Sequence, residues 1–246
     1  MKVFIGYFDL LGYKQFILNN ETEEVRRRLG HVLRDIESSL GRGDYKEGRG
    51  GLVADLKGSR IKCLNISDTV IFWTLDDTDE SLTEFLDVCF RFNWMMNTYN
   101  FPVRGAMIYD MMDMIHGAEV GAAGGMYNVN TIYGKGLIAA HLKCEGQMWA
   151  GSTIDKSLED HVLARHEGQA MLDAVAIKHL VPYSNQPENQ VEEYALKLVT
   201  GPLNAIAFGN LRKNIIAVFE ADNKGMGGTA AIKLENTILF AERFKA

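Results

Sequence analysis

Two aspartates carry the first chemical signal in this sequence. Asp9 closes the apolar run VFIGYFD (3–9), and Asp68 lies in NISDTVIFW (65–73), between two short stretches rich in β-branched and aromatic residues. A strand followed by a tight hairpin would bring both carboxylates to one end of a sheet. Two carboxylates so placed can bridge two hard cations, and magnesium and manganese favour such oxygens together with those of phosphate. Two ions about 3.5–4 Å apart activate an attacking hydroxyl and neutralise a leaving phosphate. Leu10-Leu11-Gly12-Tyr13 follows Asp9 and opens a helix, so its backbone N–H groups could cradle a triphosphate. Each aspartate alone also fits a structural role, Asp9 as a helix cap and Asp68 as a turn residue. Their joint placement at neighbouring strand ends favours the metal site.

That placement needs a scaffold, and the periodicity supplies one. Residues 3–9 read as a buried strand, and Gly12 allows a tight turn into a helix. A helix follows over 22–40, with Val25, Leu29, Val32, Leu33, Ile36 and Leu40 at helical spacing. Residues 41–58, glycine-rich and charged, read as a loop. Residues 60–75 read as two strands joined at Ser67-Asp68. Residues 78–97 form a helix whose apolar face is Leu82, Phe85, Leu86, Cys89, Phe92 and Met96, and 101–109 is a strand. The order is the ferredoxin-like βαββαβ unit of an α+β protein. Beyond it, 113–130 read as a glycine-rich loop and 132–147 as a turn entering a short helix. Residues 148–183 mix short strands, a loop and a helix. Helices are expected over 188–200 and 229–244, with apolar runs 203–208 and 215–219 between them. The expectation is one domain over 1–246, with a core to about residue 150 and a C-terminal α/β extension over 151–246.

Composition narrows the partners. A net charge of −6 argues against nucleic acid and anionic membranes as partners, so an anionic substrate needs metal ions or a few placed cations. The apolar start MKVFIGYFDLLGY is too short to span a membrane, and no signal-peptide cleavage pattern follows. Cys63, Cys89 and Cys144 lack paired spacing and read as reduced core thiols of a cytoplasmic protein.

FDLLGYKQF (8–16) resembles the metal-binding opening of class III adenylate and guanylate cyclases, F-x-D-I-x-G-F. NISDTVIFW resembles their second metal motif, VRGAMI (103–108) their R-x-G-I strand, and IYGKGLIAAHL (132–142) their W-G-x-x-V-N-x-A-x-R turn and helix. The ordered set spans about residues 3–150. The resemblance implies the cyclase fold and two Mg2+ or Mn2+ ions per site, held by Asp9, Asp68 and Leu10. It also implies phosphate contacts from Leu11, Gly12 and Tyr13, and a head-to-tail homodimer with sites at the interface.

The departures from the family pattern carry their own information. Purine cyclases place Lys or Glu four residues before the second metal Asp, to read the base. That position is Leu64, which offers no hydrogen bond. The second base-reading position is Thr131. The family's transition-state Asn and Arg fall on Ile138 and Leu142. Lys135 and Lys143 lie nearby as candidate replacement cations, although one residue of shift on a helix turns a side chain by about 100°. With the D-x-L-G-[FY] and S-D-[ST] forms, these features resemble the bacterial pyrimidine cyclases of anti-phage defence. These phosphorus–oxygen lyases convert UTP or CTP to the cyclic monophosphate, which a separate effector reads. The alternatives are an ordinary adenylate or guanylate cyclase, or an inactive module of the same fold that senses nucleotides. Trp73, Trp94 and the methionines at 95–96 and 111–114 read as packing, and His116 and His141 lack zinc-ligand spacing. Arg26-Arg27-Arg28 reads as a solvated helix edge, or as cations within reach of a triphosphate.

Overall fold

A computed structural model describes residues 1–184 and 191–246. Its centre is a seven-stranded sheet in the order β10-β11-β9-β6-β1-β5-β4. These strands are β1 (Lys2–Leu10), β4 (Lys62–Ile66), β5 (Thr69–Trp73), β6 (Val103–Met111), β9 (Ser152–Ile154), β10 (Ala176–Val181) and β11 (Val191–Leu196). The run β6-β1-β5-β4 is antiparallel throughout, which is the ferredoxin-like arrangement expected from the sequence. β9 joins β6 in parallel, and the β10–β11 hairpin extends the same sheet.

Strand β1 explains how the two faces are used. Phe4, Phe8 and Leu10 enter a core shared with helices α2 (Thr22–Leu40) and α3 (Asp79–Tyr99). Val3 and Ile5 point the other way, into a cluster with Ile71, Trp73, Ile108 and Ala140. This is the period-2 alternation of a strand covered on both sides. α3 starts where Thr78 accepts from the Ser81 N–H, with Asp79 and Glu80 in its first turn. All six apolar residues expected on its face are buried. In α2, Val32, Ile36 and Leu40 are buried but Leu33 is exposed, and Arg28 turns inward to Asp222 instead of lying on a solvated edge.

Helix α4 (Lys135–Gly146) covers the second face of β1 and β6. It lies close because Gly136, Ala140 and Cys144 form its buried stripe; a Cβ on Gly136 would stand 2.6 Å from the Ile5 side chain. The opposite stripe, Ile138 and Leu142, is 62% and 61% exposed.

Four expectations need correction. Residues 41–58 contain a hairpin, β2 (Tyr45–Gly48) with β3 (Gly51–Ala54). Residues 113–130 are mostly a second hairpin, the arm β7 (Asp113–Val120) and β8 (Met126–Tyr133). Both stand off the main sheet and are largely exposed, so neither shows the alternation that marks a half-buried strand. In the expected helix 188–200, residues 188–190 lie outside the described residues and Val191–Leu196 is β11. Tyr194, Ala195 and Leu196 are all buried, because helices cover both faces of the sheet there. A strand buried on both sides loses its alternation and reads like a helix. The apolar runs 203–208 and 215–219 meet in one helix, α7 (Ala205–Glu220), capped by Asn204, with Leu203 before the cap bridged to Lys245. The helix expected at 229–244 is α8 (Thr229–Ala241) with a short 3-10 turn after it. The remaining helices are α1 (Tyr13–Asn19), α5 (Lys156–Leu163) and α6 (Gly168–Val175). Among the described residues, no helix is long and apolar enough to cross a membrane.

Candidate active site

Asp9 is the penultimate residue of β1, on the face that α4 partly covers. Its register partners are Thr69 on β5 and Arg104 on β6. Asp68 occupies the hairpin tip after Ser67, whose φ of 55° makes the tight turn. The Leu10 N–H donates to the Asp68 carbonyl at 2.8 Å, tying the hairpin tip to the end of β1. The two aspartates therefore stand on adjacent chain segments at one end of the sheet.

Arg104 Nε donates to Asp9 Oδ2 at 2.9 Å, and its Nη1 donates to the carbonyl of Glu145 at 2.6 Å. Burial raises the Asp9 pKa above the usual carboxylate range, Arg104 partly offsets this, and the Asp68 charge raises it further. A partly buried carboxylate beside a second carboxylate is a place where added positive charge is stabilising. Among the described residues, no group of three or more His, Cys, Asp or Glu side chains could enclose a metal ion. Asp9 and Asp68 offer carboxylate oxygens from adjacent segments. That donor set suits a hard divalent ion that completes its coordination with water and substrate phosphate.

The turn after Asp9 differs in detail from expectation. The Leu11 N–H donates to the Pro102 carbonyl at 2.8 Å, so the backbone donors left at this turn are those of Gly12 and Tyr13. Gly12 has φ 82°, open to glycine at little cost, and a Cβ there would meet the Lys224 side chain at 3.2 Å. The Tyr13 ring packs with Phe16 against the core, and burial, followed by the Asp68 charge, raises the pKa of its hydroxyl, with Ser67 lowering it.

The other expected site residues scatter. Leu64, half-buried on β4, lies on the Tyr7–Ile71 face of the sheet, where Tyr7 donates or accepts with Thr69 Oγ1 at 3.2 Å and with His141 Nδ1 at 3.1 Å. Thr131 is exposed on the β7–β8 arm, away from the main sheet. Lys135 is exposed at the start of α4. Lys143 corrects an expectation: its ammonium is held by Glu193 at 2.6 Å and Asp155 at 3.0 Å, with the side chain 15% exposed. The turn of the helix points it at β11 and the α5 cap, so it is not a free cation for a transition state.

Sequence reasoning missed Arg104 and Tyr7 as neighbours of the aspartates, and His141 as a partner of Tyr7. Arg104 stood in a noted motif, but its pairing with Asp9 depends on strand register. It also missed Lys233 of α8, half-buried and within electrostatic reach of Asp9 and Arg104. Its only sequence signal is the glycine cluster 225–228 just before an apolar helix. These glycines wall a cavity of about 540 Å3 whose other side is Leu11, Gly12 and Gln15.

No family profile matches the chain, and no curated protein matches its sequence. Solved structures do match its shape. The catalytic core of a rhodopsin-guanylyl cyclase with converted specificity, in complex with ATPαS, superposes with a TM-score of 0.50. It is 10% identical, and the match covers 80% of this chain and 95% of that one. The guanylate cyclase domain of RhGC from Catenaria anguillulae, in complex with GTP, gives a TM-score of 0.49 at 9% identity over 80% and 96% of the two chains. With its β6-β1-β5-β4 unit, the two covering helices and the extended mixed sheet, this chain has the α+β fold of a class III nucleotidyl cyclase catalytic domain.

Proposed function

We propose that the chain is a nucleotidyl cyclase that converts a pyrimidine nucleoside triphosphate, UTP before CTP, to its 3′,5′-cyclic monophosphate and pyrophosphate. The observation that carries this reading is the placement of Asp9 and Asp68 on adjacent segments at one end of the sheet of a cyclase fold. Asp9, Asp68 and the Leu10 carbonyl are the groups to hold two Mg2+ or Mn2+ ions, which when bound supply charge neutralisation and acidify a hydroxyl. In the reaction the ribose 3′-oxygen forms a bond to the α-phosphorus, the bond from that phosphorus to the bridging oxygen breaks, and the 3′ proton leaves. The chain's part is positioning and charge. Gly12 and Tyr13 offer N–H groups to phosphate, and Arg104 keeps the Asp9 carboxylate oriented and ionised.

The base pocket is read from Leu64 and Thr131. A leucine cannot satisfy a purine's polar edge, and an unpaired buried polar group costs about 1–3 kcal/mol. A smaller pyrimidine accepts Leu64 as an apolar wall while Thr131 contacts its oxygen or nitrogen edge. Leu64 and Thr131 lie on separate sheets, consistent with one composite site built by two protomers. Exposed Ile138, Leu142 and the arm residues Ile115, Val120, Met126 and Tyr127 supply apolar surface for that homodimer. On this reading the enzyme is cytoplasmic and its cyclic nucleotide is a defence signal for a separate effector protein.

A second reading is a nucleotide-sensing module without turnover. Its specific support is Ile138 and Leu142, apolar and exposed on α4 where the resemblance expects Asn and Arg. One experiment separates the readings. The purified protein, at a concentration where sedimentation gives a dimer mass, is incubated with each of the four triphosphates and Mn2+. Pyrophosphate and cyclic product are then quantified. The expected kcat/KM for UTP or CTP exceeds that for ATP and GTP by at least about tenfold, the equivalent of about 1.4 kcal/mol of discrimination, and Leu64→Lys erodes the ratio. A preference for ATP or GTP removes the pyrimidine assignment. Absence of product with every triphosphate favours the sensing module.

A further inference from the structure

The cavity beside the Gly12 turn has a second wall that comes from the far end of the fold. After α7, the chain makes a turn through Asp222 and Asn223, both with positive φ, and then runs Lys224–Gly228 into α8. This turn is clasped to the α1–α2 corner: Asn19 and Asn20 donate to the carbonyls of Asn223 and Asp222 at 2.8 and 2.7 Å. Arg28 donates to Asp222 Oδ2 at 2.8 Å. Lys224 is 5% exposed, its ammonium lies 4.4 Å over the Phe101 ring and 3.2 Å from Asp222, and its stem packs on Gly12. Lys224 is thus committed to holding the wall against the Asp9 turn.

The wall it holds is unusual in what it presents. Gly225, Gly227 and Gly228 have nothing within 4 Å of the place a Cβ would take, so bare backbone faces open space. One turn into α8, Lys233 also lines the cavity, within electrostatic reach of Asp9 and Arg104, and it has no ion-pair partner among the described residues. Arg104 is the other cation here, and Asp9 is already hydrogen-bonded to it. Lys233 is therefore the cation of this corner that no side-chain carboxylate holds among the described residues. A half-buried ammonium in that position calls for an anion. The volume, about 540 Å3, is in the range of small-molecule sites.

We propose that this cavity takes the polyphosphate tail of the nucleotide, with Lys233 as the cation that contacts it. The inference rests on the nucleotide reading of the Asp9–Asp68 end of the sheet and extends it. It gives the C-terminal segment a role, and it supplies from α8 a positive charge that Lys143 of α4 does not, since that ammonium is tied to Glu193 and Asp155. Asp9 is hydrogen-bonded to Arg104 and not to Lys233, so the phosphate chain becomes the partner of Lys233 in the loaded site.

The test uses the full chain and inorganic tripolyphosphate, with and without Mn2+, followed by titration calorimetry. Lys233→Gln is expected to weaken binding at least about tenfold, the loss of one charge-assisted contact, while Lys233→Arg retains most of it. Gly227→Val, at a position with ordinary φ and open space for the side chain, is expected to weaken binding by filling the cavity, with the melting temperature unchanged. Lys213→Gln, exposed on α7, is expected to bind as the parent does. Tripolyphosphate binding that is equal in the parent and Lys233→Gln overturns the proposal, as does a parent that turns over triphosphate without binding tripolyphosphate. Binding that depends on Lys233 in a protein that cyclises no triphosphate supports the proposal and counts instead against the cyclase reading.

Discussion

Asp9→Asn and Asp68→Asn are each expected to lower kcat for cyclic-nucleotide formation by at least about a thousandfold, about 4 kcal/mol of lost transition-state charge stabilisation. Asparagine is the informative replacement at position 9. Arg104 Nε donates to Asp9 Oδ2, and alanine would strand a largely buried guanidinium. Breaking such a pair costs about 3–5 kcal/mol of stability by itself, which would confuse loss of chemistry with loss of fold. The amide oxygen of Asn still accepts the Arg104 bond while removing the charge that a divalent ion needs. Among the described residues Asp68 has no such partner, and its carbonyl, which holds the Leu10 N–H, survives any side-chain change. The check is single-turnover product formation at saturating Mn2+, beside thermal denaturation. A variant with parental stability that keeps more than about a tenth of the activity sinks the two-aspartate site, because a lost metal ligand costs several kcal/mol.

The largest effect on stability is expected from Gly134→Ala. Gly134 has φ 147° and ψ 159°, a region open almost only to glycine. It sits at the junction of the β7–β8 arm and α4. An added Cβ would stand 2.3 Å from the Met111 carbonyl and 2.8 Å from the Met112 Cα, both backbone atoms that cannot rotate away. Backbone strain and the forced shift together amount to about 3–5 kcal/mol. For a chain of this length that is a fall of about 10 °C in melting temperature. Gly209→Ala in the middle of α7 is the matched control. Nothing lies within 4 Å of its Cβ position, so alanine there is expected to be neutral or stabilising by up to about 1 kcal/mol. If the two variants melt within about 2 °C of each other, the difference falls below the scale of a glycine-only conformation and the account of the arm junction is wrong.

What could be read from the sequence follows from the range over which each signal acts. The βαββαβ unit was legible because α3 and the strands β1 and β5 each carry their own period, and Asp9 and Asp68 were placed by strand ends alone. The arm and β11 were not. The arm is largely exposed on both faces and β11 is buried on both over its last three residues, Tyr194, Ala195 and Leu196, and either condition erases alternation. Lys143 looked available by spacing, but its neighbours Asp155 and Glu193 arrive from β11 and from the cap of α5. Arg104 and Lys233 were invisible for the same reason: the first meets Asp9 through strand register, the second through the docking of α8.

The clasp between Asn20 and Asp222 joins positions 202 residues apart. Its consequence is temporal. A chain leaving the ribosome presents the Asp9 turn early, yet residues 222–233, which close that corner, are made long after the core strands. Domains fold as synthesis proceeds, and contacts of such separation form late. Until then, Gly12 has no Lys224 against it and Arg28 has no Asp222. A nascent or prematurely terminated chain that already contains both aspartates is therefore expected to be silent. A fragment ending before residue 200, refolded and given tripolyphosphate, should show no calorimetric binding; a fragment that binds as the full chain does would mean the corner closes without its last wall. On the proposed reading, this ties output to synthesis of residues 222–233 and not merely to that of the two aspartates.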